Sequence, residues 1–320
     1  MGIKMSSLSL RAMKQFLGKS INNKNNNNKL NGFLAEVDLR RYITAIGYGD
    51  NISPGGWIAR SEGEGTFGHN TIAFFPEILI PKTKYKDDRE LPPPPHALHT
   101  VCATFHQIGI KSYYCVPSII EKDVPTSVKW HHKQLGVPHD TPYTDFPPQF
   151  ECFNQRKISY NHLRYSQVVA KIPSTNIPEL FAQESVRIAF ARNYLCEISD
   201  IDSLFWGQRY TYPIEVKEKT PAWDPRLGYY FGLDIHPFAK LAFYAARKGN
   251  LHSLFIVREI ANEESRELVK WWAITFEQLA QFVSWNPVSG GKSMTGRTSS
   301  TVRIPRAEFS ELDASYLKSL

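Results

Sequence analysis

Two periodicities organise the second half of the chain. From Ile177 to Leu195, apolar residues fall at Leu180, Phe181, Val186, Ile188, Ala189 and Leu195. That spacing predicts a helix, with Glu184 carried on it. The stretch from Ser199 to Lys219, "SDIDSLFWGQRYTYPIEVKEK", then changes period and predicts two strands joined by a turn at "GQRYT". "LGYYFGLDI" continues as a third strand segment, and "HPFAKLAFYAARKG" predicts a helix with Pro237 in its first turn and Gly249 past its end. "LHSLFIVREI" predicts a further strand. "TFEQLAQFVSW" predicts a helix opened by Thr275, with Gln278 three residues on as a capping box, and "TVRIP" a last strand. The order of helices and strands predicts a mixed α/β layer fold.

The first half is less regular. "FLAEVDLRRYITAIGYG" predicts a helix that "NISPGGW" interrupts, and the glycine-rich Ser53 to Asn70 predicts a loop. "TIAFFPEILIP" and "IKSYYCVPSI" predict strands, with a helix over "HALHTVCATFHQ" before the second. Glu121 to Pro148 contains five prolines and predicts loop. "INNKNNNNKLNG", from Ile21 to Gly32, is low-complexity and polar, so it predicts a mobile linker.

Composition narrows the picture. With 320 residues, 42% of them hydrophobic and 13% aromatic, the chain can build a substantial core. A formal charge of +7 fits a polyanionic partner without demanding one. The four cysteines form no CxxC pair, which predicts reduced thiols and a cytoplasmic setting. No apolar run reaches the ~18 residues of a membrane span, and the N-terminal segment lacks a signal-peptide h-region.

The charges in the strand pair carry the chemistry. Alternation turns Ile214 and Val216 to one face of "YPIEVKEK" and Glu215, Lys217 and Lys219 to the other. Antiparallel pairing brings Asp202 beside them; Asp200 shares its face, so either acid can serve. Two carboxylates held together repel unless a cation lies between them. A hard divalent ion takes such oxygen ligands, can lower the pKa of a bound water, and can stabilise charge on a phosphodiester.

Asp202, Glu215-Val216-Lys217 and the preceding helix with Glu184 resemble the PD-(D/E)XK nuclease superfamily over roughly Ile177 to Ile260. The first half-motif reads S-D-I-D rather than P-D. The resemblance implies a restriction-endonuclease-like core, a mixed β-sheet flanked by helices, over 166–320. An additional α+β region over 30–165 would add DNA contacts or a dimer surface, behind a flexible basic, Asn-rich segment at 1–29. It implies a Mg2+-dependent endonuclease acting on double-stranded DNA, with Mn2+ as a substitute. Asp202 and Glu215 would be metal ligands together with the Val216 carbonyl, Lys217 the catalytic lysine, and Glu184 the helix acid. Lys219, Lys292 and Arg297 are candidate phosphate contacts. A type II restriction endonuclease working as a homodimer is the first expectation. A junction-resolving, repair or mobile-element nuclease, or a non-enzymatic nucleic-acid-binding protein, is the alternative.

Other constellations are weaker. "NPVSGGKSMTGRTSS" has Asn286 where the Walker pattern needs Gly, and no helix is predicted after it, which excludes a P-loop NTPase. Cys102, His106, Cys115, His131, His132 and His139 match no zinc spacing and predict core cysteines and surface histidines. No G-x-S-x-G occurs. Trp271 and Trp272 predict packing.

Overall fold

The computed structural model describes residues 8–20, 28–61, 71–78, 85, 87–145, 169–170, 172–191, 195–246, 249–292 and 298–320. The chain divides into two compact units. One comprises Met1–Lys24 and Gly56–Asp200, the other Asn25–Gly55 and Ile201–Leu320. The fold is mixed α/β, with large mixed sheet flanked by helices.

In chain order, helix α1 (Leu10–Ser20) and helix α2 (Asn28–Ile43) precede strands β1 (Ile52–Ser61) and β2 (Thr71–Pro76). Helix α3 (His96–Gln107) leads into β3 (Ile110–Ile119), β4 (Val128–Leu135) and the short β5 (Thr144–Asp145). Helix α4 (Ile177–Ala191) is followed by β6 (Leu195–Trp206), β7 (Thr211–Lys219), β8 (Ala222–Asp224) and β9 (Gly228–Asp234). Helix α5 (Ile235–Ala245), β10 (Leu254–Ile260), β11 (Leu268–Thr275) and helix α6 (Phe276–Phe282) come next. The chain closes with β12 (Val288–Lys292), β13 (Thr298–Pro305), β14 (Ser310–Glu311) and helix α7 (Ala314–Ser319).

In the first unit β2 pairs antiparallel with β1 and parallel with β3, and β4 and β5 continue antiparallel from β3. The parallel pair requires a crossover, and α3 supplies its helix. Leu98, Val101, Cys102 and Phe105 form the buried stripe of α3. Helices α1 and α4 pack together, with Phe16 edge-on to Phe181 at 5.2 Å.

In the second unit β7 is central. It pairs antiparallel with β6 and parallel with β10, which carries β11 and then β14 antiparallel. The β7-to-β10 crossover contains β8, β9 and α5, and this connection brings α5 onto one sheet face. Alternation fixes both faces. Ile214, Val216, Leu254 and Ile256 join a buried cluster with Ala35, Leu39 and Ile43 of α2 and Leu317 of α7. Phe255, Val257 and Ile274 join the opposite cluster with Leu241 of α5 and Leu279 of α6. Each Val, Leu, Ile or Phe side chain among them contributes ~1.5–3 kcal/mol on burial. A second sheet, ordered β12-β13-β9-β8, packs Phe231, Leu233, Val302 and Ile304 into that same cluster.

Several sequence expectations fail for physical reasons. "SPGGW" is strand, not loop: a Cβ on Gly55 would overlap the Ile201 carbonyl, and one on Gly56 would overlap that of Phe74. Glycine there permits close backbone approach. Val128–Leu135 is a strand within the expected loop, because Val128, Trp130, His132 and Leu135 are buried and histidine disguises the alternation. Helix α2 begins at Asn28, inside the expected linker; burial of Leu30 and Phe33 outweighs the poor propensity of asparagine. β6 begins at Leu195, so Asp202 lies within the strand rather than at its start. Thr275 caps the helix as expected, its Oγ1 accepting the Gln278 N–H at 3.4 Å, while its hydroxyl donates to Gln278 Oε1 at 3.2 Å in place of the reciprocal capping-box bond.

Candidate metal centre

The β6–β7 ladder runs from Trp206↔Thr211 to Ser203↔Ile214. Beyond it the Asp202 side chain takes over. Its Oδ2 accepts the Val216 N–H at 2.6 Å, and the residue is 4% exposed. Within a strand the N–H and C=O of one residue point to the same side, so the Val216 carbonyl faces this gap too. The backbone here is anchored from α2. Arg40 of α2 donates to the Asp202 carbonyl at 3.1 Å and to Ser203 Oγ at 2.7 Å. The Ile201 carbonyl lies against Gly55.

Glu215 occupies the facing position on β7 and is 2% exposed. Lys217 Nζ lies 2.5 Å from its Oε1, and Lys240 Nζ of α5 lies 2.6 Å from its Oε2. Lys217 keeps 34% of its side chain exposed, so it borders solvent; Lys240 keeps 9%. Asp200, Asp202 and Glu215 each offer a carboxylate oxygen, all within 4.8 Å of one another. The expected convergence of two acids and Lys217 on one sheet face is therefore present. Carboxylates gathered this closely repel one another unless cations or solvent lie among them, and a divalent ion would meet that need.

The row continues along the strand. Lys219 is half-buried, and burial holds its ammonium pKa below the ordinary lysine value. Asp234 opposes that shift and Lys217 reinforces it. Asp234 accepts from Ser299 Oγ and Thr301 Oγ1, both at 2.9 Å. On the neighbouring strand Glu259 is the register partner of Lys219. It accepts from Trp272 Nε1 at 2.5 Å and pairs with Arg306 at 3.0 Å. Trp272 lies under the Arg306 guanidinium, and Trp271 is 3% exposed, so both tryptophans pack.

The remaining expected residues are placed as follows. Glu184 belongs to the first unit, fully buried on α4, where Arg187 grips both its oxygens. The Arg187 guanidinium in turn lies 5.7 Å from the Trp57 ring centroid. Lys292 ends β12, and nothing of its side chain is described. Arg297 lies outside the described residues. Sequence reasoning missed Lys240 and Arg40. Lys240 stands one turn into an amphipathic helix, where a lysine reads as solvent-facing. A cation next to the apolar Leu241, on the helix that follows β9, is the signal the sequence offers. Arg40 lay in a helix with no motif.

The cysteine and histidine constellations gather no metal cluster among the described residues. Cys102 and Cys115 are free and buried, and burial pushes the Cys102 thiol up to about 12. His131 and His132 lie on β4, not in a loop. Ser118 Oγ lies 2.6 Å from His131 Nε2, and His131 Nδ1 lies 2.6 Å from Asp145 Oδ1. The relay has the polarity of a nucleophilic triad. Ser118 is only 5% exposed, however, which closes its hydroxyl to any sizeable substrate, and the three residues pin β3, β4 and β5 together.

No protein-family model matches the chain, and no curated protein or solved structure matches it. Among the described residues no helix is long and apolar enough to cross a membrane.

Proposed function

We propose that this chain is a metal-dependent endonuclease that hydrolyses phosphodiester bonds in double-stranded DNA. In this reading its sheet belongs to the restriction-endonuclease-like class and its action is of the restriction type. One observation carries the reading: Asp202 and Glu215, both buried, face one gap between β6 and β7, and the solvent-bordering Lys217 rides the same strand face.

The residues fit a hard divalent ion. Mg2+, with oxygens at ~2.1 Å, spans ligands up to about 4.2 Å apart, and larger hard ions at ~2.4 Å up to about 4.8 Å. The carboxylate oxygens of Asp200, Asp202 and Glu215 fall within 4.8 Å of one another. Asp202 and Glu215 would hold the ion, with the Val216 carbonyl as a further ligand and Asp200 within reach. Mg2+, with Mn2+ as substitute, supplies a bound water of lowered pKa and charge stabilisation at a phosphate. Arg40 keeps the backbone at Asp202 fixed, so the two acids need no rearrangement to meet. Lys217 places positive charge at the solvent border, where an incoming phosphate and attacking water arrive. Lys219 extends that positive row along the strand, and Lys292 and Arg297 are assigned to phosphate contacts. The enzyme would work as a homodimer on two strands, in a reducing, cytoplasmic setting.

Supercoiled plasmid incubated with Mg2+ tests this reading. Nicked and linear products are expected from the wild type. Glu215→Ala and Lys217→Ala should abolish cleavage while leaving circular dichroism unchanged and most of the DNA affinity in place. Either variant cutting at the wild-type rate sinks the assignment. A second reading draws on the occupation of both Glu215 oxygens by lysines. In it the triad is purely structural and the protein binds nucleic acid without cutting. A salt-sensitive gel shift with no cleavage in Mg2+ or Mn2+ supports that alternative.

A further inference from the structure

The nuclease reading assigns no role to Lys240, yet Lys240 makes the more deeply buried of the two contacts on Glu215. Its side chain is 9% exposed against 34% for Lys217. Lys240 comes from a different element, meets Glu215 at 2.6 Å, and has to be desolvated beside Lys217. The arrangement is sterically specific. Lys217 meets Oε1 from two residues along the same strand, and Lys240 meets Oε2 from α5 above the sheet. Both oxygens that a metal would use are thereby covered by cations.

From this geometry we infer that Lys217, Glu215 and Lys240 form a cation lock, in which Lys240 is a positioning residue that competes with the divalent ion for Glu215. The inference rests on the reading of Asp202 and Glu215 as metal ligands. When the ion binds, it displaces an ammonium from a Glu215 oxygen. Lys217 can swing into solvent, because a third of its side chain already reaches it. Lys240 is confined by the cluster around its neighbour Leu241, so it stays close and keeps Glu215 oriented. The lock holds the acids together at low metal concentration and sets the concentration at which the ion takes over. Asp202 is fixed from the strand itself, its Oδ2 accepting the Val216 N–H at 2.6 Å.

The test is Mn2+ binding, measured by calorimetry on the full chain without DNA, so that its readout is independent of cleavage. Lys240→Gln removes the charge and keeps a polar, hydrogen-bonding side chain that is one bond shorter. It should bind Mn2+ at least about tenfold more tightly than the wild type, because a cation beside the ligand has gone. Lys240→Arg keeps the charge and should stay within about threefold of the wild type. A Lys240→Gln affinity equal to or weaker than that of the wild type overturns the lock. So does the absence of Mn2+ binding in both proteins. Should Lys240→Gln fail to fold, Lys217→Gln removes the other competitor and carries the same expectation of tighter binding, with the same overturning result. The two readings fail separately. Binding that tightens in Lys240→Gln without any DNA cleavage by the wild type removes the nuclease and leaves the lock. Cleavage by the wild type with unchanged affinity in the variant removes the lock and leaves the nuclease.

Discussion

Replacing Asp202 by Asn and by Ala separates the architecture of the gap from its chemistry. Asp202 is 4% exposed and its Oδ2 takes the Val216 N–H at 2.6 Å, a group that the β6–β7 ladder no longer reaches. Asn keeps an oxygen for that N–H and loses only the charge. Exchanging a charge-assisted for a neutral hydrogen bond costs on the order of 1 kcal/mol. Ala leaves the N–H without its acceptor, a loss of about 1–3 kcal/mol, and opens a small void beside it. Urea unfolding should therefore rank the variants wild type, Asn, Ala, with Asn within about 1.5 kcal/mol of the wild type. Cleavage should rank them differently. Loss of a metal-ligating charge removes several kcal/mol of transition-state stabilisation, so both variants should fall at least about a hundredfold in plasmid cleavage. Cleavage by Asp202→Asn at near the wild-type rate would refute the reasoning, since geometry without charge would then suffice. Equal stability of Asn and Ala would refute the capping role.

Three further expectations follow from other parts of the chain. Burial lowers the His132 pKa to about 4, against opposing hydrogen-bond and charge effects of Asp145. The unfolded chain protonates near the ordinary histidine value of about 6.5, so the contribution is fully present above that pH and is lost as pH falls towards about 4. The loss is on the order of 3 kcal/mol, and His132→Gln should flatten that part of the stability–pH curve measured by chemical denaturation. Gly55→Ala should destabilise by at least about 2 kcal/mol in thermal or urea unfolding, because the new methyl overlaps backbone rather than a movable side chain. Wild-type stability in that variant would remove the close approach of β1 to Ile201. Lys219→Ala should weaken DNA binding at every sequence alike and reduce the slope of log affinity against log salt by about one, with an unchanged slope removing Lys219 from the phosphate contacts.

The legible parts of this protein are those where one period dominates. Glu184's helix, the strand faces of Ile214/Val216 and Glu215/Lys217, and the capped helix after Thr275 all follow from spacing. What could not be read is tertiary. Gly55 and Gly56 look like a turn until the Ile201 and Phe74 carbonyls that need their space are known. His132 looks polar until β4 buries it with Trp130. Lys240 reaches Glu215 only because the β7-to-β10 crossover carries α5 over that face. Within the site, the two acids and one lysine come from adjacent strands and leave a local trace. Lys240 and Arg40 come from helices 25 residues after and 175 residues before Glu215 in the sequence, and pattern alone does not connect them.

The most direct measurement is anomalous diffraction from crystals soaked in Mn2+. The account requires a single strong peak in the gap between β6 and β7, bonded to a carboxylate oxygen of Asp202 and one of Glu215 at about 2.2 Å, with the Val216 carbonyl in the same shell. A map with no peak there, or with Mn2+ bound elsewhere while both lysines still grip Glu215, would contradict it.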